Sequence, residues 1–261
     1  MAKQVMAKHG HWLATALSVA AILTLWVVLT RSGGVSDLFL PGPELLWSAA
    51  VELFDEGYKS RPLWEHVADS LIRVLAGFGL GAAFGTVLGL AMGTIPTLEA
   101  LCNPFVEFLR PLPQLAYLVL LIIWLGIGET SKIALLFLAA LPVSAVAARD
   151  GVRNVAPARV LAARSLGANA WQVFRLVVLP SAMAEIFTGA RLAIGIVYGT
   201  LIAAEIIAGS TGIGWMILDA GRFLRSDYVF VGILIIGVMG VVLDRILRTL
   251  ERRIVHWAGK T

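Results

Sequence analysis

Leu71 to Gly93 is one long apolar run broken by a single charge, Arg73, and five other stretches of the chain resemble it. Nothing else constrains the fold as strongly. A bilayer's hydrocarbon core is about 30 Å thick and takes roughly 20 helical residues to cross. Stretches near that length occur at 12–30, 71–93, 112–126, 131–148, 186–208 and 229–247. Hydrophobic residues make up 59% of the chain and charged ones 15%, against about 25% charged in a soluble domain. One soluble core cannot use that much apolar surface. The expectation is an all-α membrane protein of about six transmembrane helices. The third stretch is short and opens on RPLPQL, where Pro111 and Pro113 suit an entry turn or a first helical turn. In GIGETSK, Gly126 and Gly128 mark a tight loop, and Thr130 or Ser131 can cap the next helix.

Lysine and arginine counts orient the spans. With the N-terminus inside, the inner segments hold thirteen basic residues and the outer ones six. Both termini are therefore expected in the cytoplasm. The run after Lys3 and Lys8 ends in VVLTRSGG, which has no small-x-small cleavage site, so it reads as a retained anchor helix. Residues 31–70 carry seven acidic side chains against three basic ones, which suits the outside. Within them LPGPELLWSAAVELF reads as an amphipathic helix, lying on membrane lipid or packing against the protein. The resulting division is an anchor and outer segment at 1–70, a membrane core at 71–250 and a cytoplasmic tail at 251–261.

Several function classes lose support. The net charge of +4 is a topology signal and does not point to nucleic acid. Cys102 is the only cysteine, so no intrachain disulfide forms, and His9, His11, His66 and His256 make no H-E-x-x-H pattern, so no metal site is expected. A membrane-embedded enzyme needs His, Asp or Ser residues clustered at one depth, and the spans offer no such cluster and no catalytic residue. An ion-coupled secondary transporter would show internal repeats or broken midplane helices with paired ionisable groups. A phosphate-cradling loop needs G-x-x-x-x-G-K-[ST] ahead of a helix. Gly259-Lys260-Thr261 ends the sequence and has Ile254 at the first glycine position. The chain is expected to bind no cofactor of its own.

Gly77, Gly81, Gly85, Gly89 and Gly93 recur every fourth residue in the second span. Such a stripe lets a neighbouring backbone approach, either another span of the chain or a second subunit.

One polar stretch interrupts the apolar pattern: LAARSLGANAWQVFRLVVLP, residues 161–180, inside a segment at about 149–180 that carries five arginines. Pro157 suits the start of a helix running to about Leu166. Gly167 supplies a turn, and Asn169 with Gln172 has capping-box spacing. A second short helix places Trp171, Phe174 and Val178 at helical spacing, and Leu179-Pro180 ends it before the fifth span. The result is a helix-turn-helix elbow with apolar knobs and Arg159, Arg164 and Arg175. A basic loop resting on lipid headgroups is the plainer alternative.

This stretch resembles the coupling loop of the permease subunits of bacterial ATP-binding-cassette importers. That pattern is Glu-Ala-Ala, three residues, Gly, nine residues, an aliphatic, any residue and Leu-Pro. Ala162, Ala163, Gly167, Val177, Leu179 and Pro180 keep the spacing, and Leu161 stands where the pattern has Glu. DSLIRVLAGFGLGAAFGTVLGLAMG, WLGIGETSK, TGARLAIG, AAEIIA, GIGWMI and AGRFLRSDYVFVGI resemble the nitrate, sulfonate and taurine branch, most of all taurine permeases. The resemblance implies a type I importer permease fold in the bacterial inner membrane, working as a homodimer. It implies two separate ATPase subunits that bind ATP-Mg and dock on the loop through Leu161, Ala162, Ala163, Arg164, Gly167, Ala168, Val177, Leu179 and Pro180. A periplasmic or lipid-anchored binding protein would deliver the cargo. The cargo implied is taurine or a related alkanesulfonate; another small anion such as nitrate or bicarbonate, or a small organic compound, is the alternative.

Charges inside spans normally face a bundle interior or water. Glu205 falls near the outer end of the fifth span, as an interfacial carboxylate or a pathway residue. Arg191 is expected to snorkel inward. Arg222 and Arg225, in the outer GRFLRSD segment, are placed to meet an anionic cargo on a pathway.

Overall fold

The computed structural model describes residues 2–257, with side chains from Ala14 onward; the side chains of Lys3, Lys8, His9 and His11, and the terminal Gly259-Lys260-Thr261, lie outside the described part. Eleven α-helices follow in order among the described residues: α1 (Ala2–Arg31), α2 (Pro43–Asp55), α3 (Leu63–Thr94), α4 (Pro96–Leu109), α5 (Gln114–Leu125), α6 (Glu129–Arg153), α7 (Pro157–Ser165), α8 (Ala170–Val173), α9 (Leu179–Ala208), α10 (Ile213–Arg222) and α11 (Ser226–Ile254). Five helical stretches are long and apolar enough to cross a membrane, or six if the bent pair α4–α5 forms one span. Helices suit this solvent because they satisfy their own backbone groups where water cannot.

The chain divides into two compact units, residues 1–64 with 216–234, and residues 65–215 with 235–261. In the first unit, α2 starts on Pro43 and buries Leu46, Ala49 and Leu53. Its other face exposes Trp47 and Phe54. Gly57, Lys59 and Ser60 all have positive φ, in a turn closed by paired backbone bonds between Tyr58 and Arg61. Asp219 ties that turn to α10: its Oδ2 accepts from Tyr58 Oη and Lys59 Nζ, each at 2.7 Å. Burial alone would raise the Asp219 pKa, but these two donors, helped by the Arg222 charge, hold it below the ordinary value.

The second unit is built around α6. A core of Val74, Leu136, Ala139, Ala140, Ala193, Ile194, Val197 and Leu201 joins α3, α6 and α9. The glycine stripe faces α6 of the same chain. A methyl added at Gly81 would sit 2.7 Å from Ala140 Cβ, at Gly89 2.8 Å from Ala148 Cβ and at Gly93 2.7 Å from Val152 Cβ, closer than carbon atoms pack. On α6's other side, Gly189 of α9 meets Ala147 just as tightly.

Three expectations need correction. The third span is α5, of 12 residues, about 18 Å at 1.5 Å per residue and too short to cross alone. It follows α4, a helix not anticipated from sequence, at an angle of 103°. Neither Thr130 nor Ser131 caps α6: the helix opens at Glu129 without a side-chain cap, and Ser131 Oγ instead donates back to the Gly128 carbonyl at 3.0 Å. Leu179-Pro180 does not end a helix. The chain is helical from Ala170 to Ala208, 39 residues, through a π-helical turn at Phe174–Val178. Pro180 lacks a donor for its helical bond, and its ring crowds the preceding turn. The wider π turn, in which Leu179 N–H reaches back five residues to the Phe174 carbonyl, relieves that conflict without breaking the helix.

Candidate functional site

The elbow is shaped by two capping devices. At the end of α7, Gly167 N–H donates to the Arg164 carbonyl at 2.9 Å and Ala168 N–H to the Ala163 carbonyl at 3.1 Å. That crossed pair is the Schellman arrangement, which needs a left-handed residue at its centre, and Gly167 has φ +85°. The spacing of Ala163, Gly167 and Ala168 is thus a hydrogen-bond spacing. Two residues later, Asn169 Oδ1 accepts from Gln172 N–H at 2.9 Å and Gln172 Oε1 from Asn169 N–H at 2.8 Å, a complete capping box. Trp171 and Phe174 stack with centroids 5.7 Å apart.

The elbow leaves much apolar surface uncovered. Leu166 is 89% exposed, and Leu161, Trp171 and Leu176 are exposed beside Arg159, Arg164 and Arg175. Apolar side chains among arginines, with a large aromatic, have the composition of a protein-binding surface. Ala162 is exposed too, Ala163 and Ala168 half-buried, and Val177, Leu179 and Pro180 partly covered along the continuous helix. A cavity of about 640 Å³ lies beneath, between Val152 of α6 and Val155 just after it on one side and Val160, Trp171 and Phe174 of the elbow on the other. The carbonyl of Pro180 accepts from Trp257 Nε1 at 3.2 Å, which pins the tail to the base of the elbow.

A second cluster lies in the same unit, far along α9. Glu205 is fully buried among protein groups. Its Oε1 accepts from Arg73 NH1 at 2.6 Å and Ser70 Oγ at 2.8 Å, and its Oε2 from Gly214 N–H at 2.8 Å. Arg73 uses every N–H it has. Nε and NH2 grip Glu129 at 2.6 and 2.8 Å, NH2 also reaches Thr211 Oγ1 at 2.7 Å, and NH1 reaches the Thr211 carbonyl at 3.0 Å. Lys132 holds Glu129 at 2.8 Å, so two cations balance two carboxylates. The backbone donors at the start of α10, which have no helical carbonyl to bond, are spent here as well: Gly212 N–H on His66 Nδ1 at 3.2 Å and Ile213 N–H on Ser70 Oγ at 2.9 Å. Gly212 has φ +105°, and a Cβ there would collide with the Arg73 and Glu205 side chains.

Of the other charged candidates, Arg191 and Arg225 are engaged elsewhere. Arg191 meets Glu251 of α11 at 3.2 Å. In the first unit, Arg225 grips Asp227 at 2.9 Å and Glu52 at 3.1 Å, and its guanidinium lies 3.7 Å over the Tyr228 ring. Arg222 is exposed at the end of α10. Arg73 was the missed member. The signal was present: two opposite charges in separate apolar spans, each needing a partner. Among the described residues no group of three or more His, Cys, Asp or Glu side chains could hold a metal.

Residues 81–256 match the family described as "Binding-protein-dependent transport system inner membrane component". The taurine transport system permease protein TauC of Escherichia coli is 41% identical over 244 residues, covering 93% of this chain and 89% of that one. SsuC of the same organism, named for transport of aliphatic sulfonates, is 36% identical over 236 residues, covering 90% and 88%. Among solved structures, the inward-facing MetNI methionine ABC transporter aligns with a TM-score of 0.55 at 20% identity, over 71% of this chain and 95% of that one, a likeness of fold.

Proposed function

The chain belongs to the inner membrane component family of binding-protein-dependent transport systems, and on that premise we propose that it is the permease through which an ATP-driven importer passes taurine or a related alkanesulfonate. Similarity to TauC and SsuC over about nine-tenths of the chain supports the cargo. The observation that carries the coupling role is the exposed elbow. Two copies of the chain form the pathway, a binding protein delivers cargo on the outer face, and both termini lie in the cytoplasm.

In this reading the chain does no covalent chemistry. Two separate ATPases bind ATP-Mg and hydrolyse it. Each receives one elbow, burying Leu161, Leu166, Trp171 and Leu176 and meeting Arg159, Arg164 and Arg175 with acidic or polar groups. Movement of the ATPases shifts α7 and α8. The helical stretch from Ala170 to Ala208, continuous through the π turn at Phe174–Val178, carries that shift into the membrane core. Alternating access follows when both copies move.

The test is uptake of labelled taurine into vesicles reconstituted with the permease, ATPase and binding protein. Uptake should need ATP and all three components. Trp171→Asp should abolish capture of the ATPase and uptake together while the permease still inserts. Uptake of nitrate or bicarbonate in place of sulfonates would reassign the cargo, and uptake driven by an ion gradient without ATPase would overturn the reading.

A further inference from the structure

Where α6 and α9 touch at Ala147 and Gly189, the helices leave a wedge of about 220 Å³ on the elbow-bearing half of the second unit. That is room for roughly seven waters at about 30 Å³ each. Val143, Val146 and Leu192 make its walls apolar, and Arg110, Glu185 and Thr188 put polar groups into it. We propose that this wedge is a binding site for a small zwitterion, with the ammonium on Glu185 and the anionic end on Arg110.

The charges that surround the wedge support this assignment. Asp150 also lines it, but Asp150 has a cationic partner of its own in Arg149, through two contacts of 2.9 Å, a partner it shares with Glu107 at 3.2 Å. Glu185 has a neutral partner: the Asn154 amide donates to its two oxygens at 3.2 Å each. Its negative charge is satisfied by hydrogen bonds and balanced by no cation. Arg110, at the end of α4, makes no ion pair among the described residues. One cation and one carboxylate, each uncompensated, thus open on the same apolar-walled space. Arg110, Glu185 and Thr188 are exposed at the opening of the wedge, where a small solute can reach them, while Val146 and Leu192 line its side. Thr188 Oγ1 donates to the Ala184 carbonyl at 2.9 Å, which leaves its lone pairs to accept from an ammonium. A simple anion would satisfy Arg110 and bring a like charge into the space that Glu185 also lines. A molecule bearing both charges satisfies both.

The inference rests on the proposed cargo class, and amino-sulfonates are zwitterions of the right kind. The experiment uses the complete importer in lipid nanodiscs without its binding protein and measures retention of labelled taurine and of ethanesulfonate, which lacks the ammonium. Arg110→Gln should weaken retention of both at least tenfold, and Arg110→Lys should preserve it. Glu185→Gln should weaken taurine at least tenfold and leave ethanesulfonate unchanged or tighter. Co-purification with the ATPase checks the fold of each variant separately. Unchanged taurine retention in Arg110→Gln and Glu185→Gln, in an importer that moves taurine, overturns this site and leaves the cargo reading standing. Equal losses of taurine and ethanesulfonate in Glu185→Gln also overturn it. An importer that moves no sulfonate removes both readings.

Discussion

Arg73 NH1 lies 2.6 Å from Glu205 Oε1, although 132 residues separate them in the chain. Both side chains are almost wholly buried, at 2% and 0% exposure. An ion pair in that setting stabilises little relative to apolar residues, but removing one partner leaves buried polar groups of the other unmatched, at a cost of up to about 3–5 kcal/mol, even though Arg73 would keep Glu129. Glu205→Ala should therefore lower the thermal midpoint of the purified protein strongly. A double Arg73→Met, Glu205→Met variant should lose less than the sum of the two single changes, which is read from thermal unfolding in detergent of the four proteins. Additive losses would show that the pair is not coupled.

The α3–α6 contact should tolerate no added carbon along the glycine stripe. Gly85→Leu is expected to yield no monodisperse protein, since even a methyl there would press on the α6 backbone. Gly79, on the same helix, has open space where a Cβ would go. Gly79→Ala should leave yield and elution profile unchanged, and the two variants compared by size-exclusion chromatography separate close packing from general loss of glycine.

Gly167 sits in open space but in a left-handed conformation. An L side chain there strains the backbone by about 1–2 kcal/mol without any clash. Gly167→Ala should reduce ATP-driven uptake several-fold with membrane insertion intact. Gly167→Asn, which tolerates this region better, should fall between alanine and wild type. Equal uptake in all three would remove the glycine's conformation as the reason for its place.

Acid should loosen the first unit through Asp219. Its folded pKa lies below the ordinary 3.8, so the unfolded chain takes up the proton first as pH falls. The stability it contributes is complete above the unfolded value and is lost as pH drops through the folded one. The loss should therefore appear below about pH 4. Asp219→Asn should flatten that part of a stability-against-pH curve, measured by Tyr and Trp fluorescence; an unchanged slope would assign the acid sensitivity elsewhere.

Much of this molecule could be read one residue at a time. The apolar runs mark membrane helices because bilayer thickness is a fixed length. Gly167, Asn169 and Gln172 announce the elbow because caps and turns are local hydrogen bonds between near neighbours. The helix through Leu179-Pro180 was hidden because proline usually ends a helix, and the π turn that accommodates it appears only in the assembled backbone. The α4–α5 bend was hidden because hydropathy records how apolar a stretch is, not its direction.

The sequence by itself determined that this chain is a bundle of membrane helices, where its polar elbow lies and which residues cap it, since these follow from spacing along one helix or turn. Only the tertiary structure decided that the glycine stripe packs on α6 of the same chain, that Glu205 is locked to Arg73 rather than facing water, and that Glu185 and Arg110 share a wedge. Each of those depends on which helix lies next to which. Many arrangements bury the same apolar area, and close packing with charge pairing selects among them.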